Sequence, residues 1–217
     1  SPKGKTLITK EKISEDGFYG VYFEKPKFKG SNYRLVTEYY DGTSVETADC
    51  YAFDGQFTDF DAYLFAEGNH YDIYEKMGAH PMEIDGVKGT YFAVWAPDAR
   101  RVSVVGDFNM WDGALNPMQI HPASGVYELF IPDVLPGAVY KFQILTRFGE
   151  LLYKADPYGN QAQVRPDNAN VVTDISNLKW TDKKWMDERK KVDRVERTKR
   201  PMLIYECHLG SWKKKVE

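Results

Sequence analysis

The first group in this sequence that could do chemistry is an indole ring in a loop. Trp111 follows Asn109 in a stretch bounded by Gly106 and Gly113, the kind of loop on which binding groups are displayed. An aromatic face can stack on the apolar face of a pyranose ring. The competing role is packing against a sheet. For a binding role, Trp111 is expected to stand substantially exposed. Other site-forming residue types offer less. His70, His80, His121 and His208 are scattered without metal-ligand spacing, so neither a metal nor another cofactor is expected. There is no Gly-rich phosphate loop and no nucleophile elbow. Cys50 and Cys207 lie far apart in sequence and read as reduced thiols of a cytoplasmic protein.

The elements that would position Trp111 are strands. Arg101-Val102-Ser103-Val104 alternates polar and apolar residues, and Tyr127, Leu129 and Ile131 share one face with Glu128 and Phe130 on the other. Tyr140, Phe142 and Ile144 alternate with Lys141 and Gln143. Period 2 marks half-buried strands. Asp85-Gly86, Asp112-Gly113, Ser124-Gly125 and Pro136-Gly137 punctuate them. Short strands at this spacing predict an antiparallel sandwich. Asn69 to Gly78 reads as a short helix, capped by Asn69 and ended by Gly78, and Asp182 to Lys191 as another.

The chain also repeats itself. Tyr33 to Tyr51 aligns without gaps to Tyr140 to Tyr158, an offset of 107 residues. Tyr33/Tyr140, Gly42/Gly149, Ala48/Ala155, Asp49/Asp156 and Tyr51/Tyr158 are identical. Two sandwiches in tandem would produce this pattern. The first copy has only 32 residues before its tyrosine, too few for a complete front half.

Composition bounds the partners. With 217 residues, 42% apolar and 28% charged, the chain can bury one or two cores. Its net charge of −3 argues against nucleic acid. No apolar run approaches the ~18 residues of a membrane span, and no signal peptide opens the chain.

The stretch Phe92 to Gly113, FAVWAPDARRVSVVGDFNMWDG, is similar to the sandwich module that precedes the barrel in branching and debranching enzymes of the α-amylase superfamily. Glycogen-binding modules of kinase regulatory subunits share its G-x-F-N-x-W core. Four further stretches resemble branching enzymes: Met77-Gly78-Ala79-His80-Pro81, Lys154-Ala155-Asp156-Pro157-Tyr158, the Trp180/Trp185/Arg189 spacing, and the run from Pro201 to Trp212. The last is similar to the segment that opens the catalytic barrel. Cys50 departs from the pattern, standing where such modules have the proline kept at Pro157.

The resemblance implies a mainly β fold. An immunoglobulin-like β-sandwich of the glucan-binding type is preceded by a partial second sandwich and followed by the first strand of a truncated (β/α)8 barrel. The expected divisions are a partial sandwich over 1–66, a short helix and linker over 67–84, the complete sandwich over 85–176, a charged linker over 177–200 and the start of the barrel over 201–217. It implies a part of a 1,4-α-glucan branching enzyme of glycogen biosynthesis, which forms α-1,6 branches by transferring α-1,4-glucan chains. The partners would be glycogen, amylose and maltooligosaccharides, with an intramolecular contact to the barrel. Alternatives are a free-standing carbohydrate-binding or scaffold module, and the front of a debranching hydrolase. A barrel takes about 250 residues and only 16 follow Pro201. No residue is therefore assigned a catalytic role, and the chain alone is expected to be inactive. The glycogen-binding modules add two sugar contacts to Trp111: the lysine after the strand tyrosine, Lys141 here, and an asparagine of the last loop, Asn170 here. Where they carry a second tryptophan after the hairpin glycine, this chain has Leu151 and Leu152.

Overall fold

The computed structural model describes residues 11–15, 19–20 and 33–212. Ser1–Asp174 and Ile175–Glu217 form two compact units.

The first unit is built on a two-sheet sandwich. One sheet has the order β5 (Gly78–Ile84), β6 (Val87–Trp95), β9 (Val126–Pro132), β8 (Gln119–His121). In the other, β10 (Val139–Thr146) pairs with β7 (Ala99–Gly106), β11 (Leu151–Lys154) and β12 (Asn170–Val171). All these pairings are antiparallel. Phe92, Val94, Val102, Val104, Tyr127, Leu129, Ile131, Tyr140 and Phe142 form the core between the sheets. That is the face the alternation assigned to Tyr127, Leu129 and Ile131. Phe92 and Phe142 are wholly buried, each contributing about 1.5–3 kcal/mol of apolar transfer.

The opposite face of the first sheet is covered too. Tyr91, Ala93, Val126 and Phe130 pack with Phe53, Phe57, Ala62 and Met77 in a second cluster. The cover includes α1 (Asp59–Ala66), which starts at a capping box in which Thr58 and Asp61 bond reciprocally. Gly68 at φ +70 and the Asn69 amide, bonded to the Leu64 carbonyl at 2.9 Å, close it. Asn69 thus ends a helix, whereas the sequence reading made it begin one. Between Asn69 and Gly78 there is only a 3-10 turn, Ile73–Glu75. The sandwich also begins earlier than residue 85. All seven residues of β5 pair with β6, and Pro81 is tolerated because β5 is an edge strand.

Asp61 anchors the start of α1. Its carboxylate accepts from the Thr58 amide (2.9 Å) and hydroxyl (2.7 Å), contacts His70 Nε2 at 2.9 Å and pairs with Lys76 at 3.3 Å. Burial pushes its pKa up, but the hydrogen bonds from Thr58, His70 and Lys76 outweigh burial and hold it well below the usual carboxylate range. A depressed carboxyl contributes stability that is complete above the unfolded value, about 3.9, and is lost as pH falls through the folded one. The expected result is a melting-temperature gap between wild type and Asp61→Asn that is full near neutral pH. It should narrow steadily below about pH 4. A gap independent of pH would show that the charge on Asp61 is not what matters.

Upstream, β1 (Glu11–Lys12) pairs with β2 (Tyr19–Gly20), and β3 (Leu35–Glu38) pairs with β4 (Ser44–Thr47). The β3–β4 hairpin repeats β10–β11 bond for bond. Leu35↔Thr47 through Glu38↔Ser44 match Phe142↔Lys154 through Leu145↔Leu151 at the same offset. Tyr33 donates to Asp49 Oδ2 at 2.7 Å, as Tyr140 donates to Asp156 Oδ2 at 2.6 Å. Asp49 Oδ1 accepts from the Tyr51 amide at 2.9 Å, as Asp156 Oδ1 does from Tyr158 at 2.8 Å.

The second unit holds α2 (Lys183–Lys191), α3 (Arg194–Thr198) and α4 (Leu209–Trp212). The Arg189 guanidinium lies 5.2 Å over the Trp185 ring. Met202, Leu203, Ile204 and Tyr205 are exposed and lie outside any strand. A parallel barrel strand needs neighbours on both sides for its backbone and cover on both faces, and among the described residues none pairs with them. Among the described residues no helix is long and apolar enough to cross a membrane.

Candidate functional site

The loop between β7 and β8 carries Trp111, and a buried amide shapes it. Asn109 Oδ1 accepts from the Gly106 amide at 2.9 Å, and Nδ2 donates to the Val104 carbonyl at 2.9 Å and to Asn116 Oδ1 at 2.8 Å. A 3-10 turn, Asp107–Asn109, leads to Met110 and Trp111, both left-handed at φ 54 and 61. Consecutive non-glycine residues in that region carry strain that the surrounding bonds must hold. The Trp111 amide donates to the Gly106 carbonyl at 2.9 Å, and its indole nitrogen donates to Asp107 Oδ1 at 2.8 Å. Trp111 is accordingly half-buried. The expectation of substantial exposure did not allow for a ring edge tied down within its own loop.

The loop lies against the outward face of the second sheet. Tyr140 and Phe142 point into the core, so Lys141 and Gln143 point outward. A Cβ at Gly113 would meet the end of the Gln143 side chain, so the loop runs close against the strand there. Gln143 is paired in register with Tyr153, and its Nε2 donates to the Tyr153 hydroxyl at 2.8 Å. Tyr153 is half exposed, at 50%. Lys141 Nζ donates to Asn168 Oδ1. Trp111's loop, Gln143, Tyr153, Lys141 and Asn168 are thereby linked on one side of the sheet. They offer aromatic faces, an ammonium group and amides, which is a surface suited to a neutral polyhydroxyl ligand.

Asn170 does not join them. It pairs in register with Tyr140 and shares that residue's inward face. Its side chain is buried, its Oδ1 accepts from the Asp156 amide at 2.6 Å and its Nδ2 donates to the Gln161 carbonyl at 3.4 Å. The Asn170 amide holds the Asp156 turn and is out of reach of a ligand. The amide beside Lys141 belongs to Asn168, two residues earlier. Tyr153 was likewise missed, because counting forward from Gly149 stops at Leu151 and Leu152. Leu152 pairs with the inward residue Ile144. Counting by strand register from Gln143 would have found Tyr153.

The buried Asp156 is structural. Burial raises its pKa, and bonds from the Tyr140 hydroxyl and Tyr158 amide, together with the charge of His80, partly offset this. Burial, and then the Asp156 charge, pushes the Tyr140 phenol strongly upward. Among the described residues no group of three or more His, Cys, Asp or Glu could hold a metal ion. Cys50 and Cys207 are both free thiols.

Residues 76–159 match the family Carbohydrate-binding module 48 (Isoamylase N-terminal domain). The whole chain is similar to the 1,4-alpha-glucan branching enzyme GlgB of Rubrobacter xylanophilus, at 46% identity over 100% of this chain and 29% of that protein. The enzymes of the same name from Rhodospirillum rubrum and Trichormus variabilis are each 48% identical, over 94% and 97% of this chain and 27% of their own lengths. Ligand-free PulA from Klebsiella pneumoniae aligns with 52% of this chain and 10% of its own, at 25% identity and a TM-score of 0.38. The chain spans under a third of the length of the branching enzymes it matches. Over nearly its whole length the chain is similar to enzymes of that name, and residues 76–159 carry the match to module 48.

Proposed function

We propose, from that similarity, that this chain is the glucan-holding part of an enzyme that transfers α-1,4-glucan chains to form α-1,6 branches in cytoplasmic glycogen synthesis. The single observation that carries the glucan reading is the Asn109-braced loop of Trp111, whose Gly113 lies against Gln143 in the outward row that Lys141 and Tyr153 share. Stacking on Trp111 and Tyr153, with hydroxyl contacts to Lys141 and Asn168, suits linear α-1,4-glucans: glycogen chains, amylose and maltooligosaccharides. Retaining transfer between sugars needs two carboxyl groups about 5–5.5 Å apart across the scissile bond, and no carboxylate of this chain is given that role. The chain alone should neither branch nor hydrolyse amylose. In the whole protein, the β3–β4 hairpin would belong to a first sandwich, while residues 53–66 cover the sheet of the second, and residues 201–217 would enter the catalytic barrel.

Titration with maltoheptaose tests the site. Binding is expected near the millimolar range, about −4 kcal/mol. Trp111→Ala and Tyr153→Ala should each weaken it about tenfold, the loss of roughly 1.4 kcal/mol, with little change in melting temperature. A Trp111→Ala chain that melts far lower and binds maltoheptaose as before would make Trp111 a packing residue and place the site elsewhere.

A further inference from the structure

We infer that the Asp49–Tyr51 turn of the first hairpin repeat is a bracket for the Trp111 loop, so that the upstream repeat sets how firmly the sandwich grips its ligand. Asp49 holds the turn with both carboxylate oxygens, one bonded by the Tyr33 hydroxyl and one by the Tyr51 amide. Held so, the Tyr51 hydroxyl donates to the Pro117 carbonyl at 2.9 Å, across 66 residues of sequence. The neighbouring Cys50 Sγ accepts from Asn116 Nδ2 at 3.9 Å. The other atom of that amide, Asn116 Oδ1, accepts from Asn109 Nδ2 at 2.8 Å. Asn109 bonds the Gly106 amide, and the Gly106 carbonyl accepts from the Trp111 amide. An unbroken run of contacts therefore joins the upstream turn to the backbone of Trp111.

The duplication indicates that this use is particular to the first copy. The equivalent turn at Asp156 makes the same internal bonds. Its tyrosine, Tyr158, sits beside Gly78 at the start of β5 and makes no bond to the Trp111 loop. One local structure thus serves two tasks. The second copy closes its own module, and the first reaches across to the far end of the binding loop. A loop held in its binding geometry before the ligand arrives loses less conformational freedom on binding. Loosening the bracket should therefore weaken binding without removing any group that touches sugar. Tyr51 and Cys50 are positioning residues in this account, which rests on the glucan reading above.

The test uses the full 217-residue chain, labelled with 15N, and the variants Tyr51→Phe, Cys50→Ala and Tyr158→Phe. The indole N–H resonance of Trp111 is identified by its loss in Trp111→Phe. Tyr51→Phe deletes one hydroxyl. It should shift that resonance and weaken maltoheptaose binding about threefold to tenfold, the share of one hydrogen bond. Cys50→Ala should move the resonance in the same sense, and Tyr158→Phe should leave it in place. If Tyr51→Phe and Cys50→Ala leave the Trp111 resonance where it is in wild type, the bracket does not position the loop and the inference fails, whatever the affinities. If the resonance moves but the affinity does not, the bracket holds the loop without governing binding, and the inference fails in its functional half. Should Trp111→Ala bind maltoheptaose as wild type does, the glucan reading fails by itself, and the resonance shifts still judge the bracket.

Discussion

Replacing Glu128 by alanine should cost about 3–5 kcal/mol of stability, the largest loss expected from any single polar side chain here. Glu128 lies on the covered face of the first sheet and is almost wholly buried. Its Oε2 accepts from the Gln56 amide at 2.7 Å, the Phe57 amide at 3.0 Å and the Tyr91 hydroxyl at 2.8 Å. Gly55 permits this approach, because a Cβ there would strike the carboxylate. Hydrogen bonds to a charged group are worth about 1.5–3 kcal/mol each, and buried donors left without partners cost about 1–3 kcal/mol. Glu128 also fastens the segment whose Phe53 meets Phe130 edge-on at 4.8 Å, so its loss loosens the second apolar cluster. For a chain of this size the change corresponds to a melting temperature about 10 °C lower. Glu128→Gln should recover part of it, since its carbonyl oxygen still accepts. Calorimetry on both variants checks this, and an unchanged melting temperature for Glu128→Ala would mean that residues 53–57 are not clasped to the sheet in solution.

Asn109→Ala should be costly in two separate measurements. Three hydrogen bonds converge on this buried amide, and their loss is expected to lower stability by about 2–4 kcal/mol. Asn109 also closes the turn that forces Met110 and Trp111 into left-handed backbone. Without it the strain relaxes and the indole leaves its place beside Asp107. Maltoheptaose affinity should then fall at least as far as in Trp111→Ala, although Asn109 touches no sugar. Asn109→Asp retains an acceptor for Gly106 but has no donor for Val104 and Asn116, so it should not rescue binding. A chain with Asn109→Ala that binds maltoheptaose normally would show that the loop takes its shape without this side chain.

The difference between readable and unreadable features follows from the range of the interactions involved. The alternation of Tyr127, Glu128, Leu129, Phe130 and Ile131 could be read because a strand's two faces follow from its own backbone pleat. The same alternation could not show that Phe130 and Glu128 are also buried. Their cover comes from Phe53, Gln56 and Phe57, more than 70 residues earlier in the chain. The capping box at Thr58 and Asp61 was available as a helix signal. It was overlooked because Phe60, Ala62, Tyr63, Leu64 and Phe65 place apolar groups around the whole helix and leave no one-sided stripe.

The candidate site divides in the same way. Gly106, Asn109, Trp111 and Gly113 shape the loop from within a few residues of one another, so their pattern carried both the family resemblance and the position of the indole. The repeat at Tyr33 and Tyr140 was equally local, and each copy keeps its own bonds. Which asparagine faces outward was settled by pairing with a distant strand. Asn170 lies opposite Tyr140 and turns inward with it, and Asn168 meets Lys141. Tyr153 gained its place opposite Gln143 through register in the same manner. A shift of one residue in register reverses every side chain on a strand. Residue type and local spacing therefore specified the loop and its tryptophan, while long-range pairing decided which polar and aromatic neighbours stand beside it.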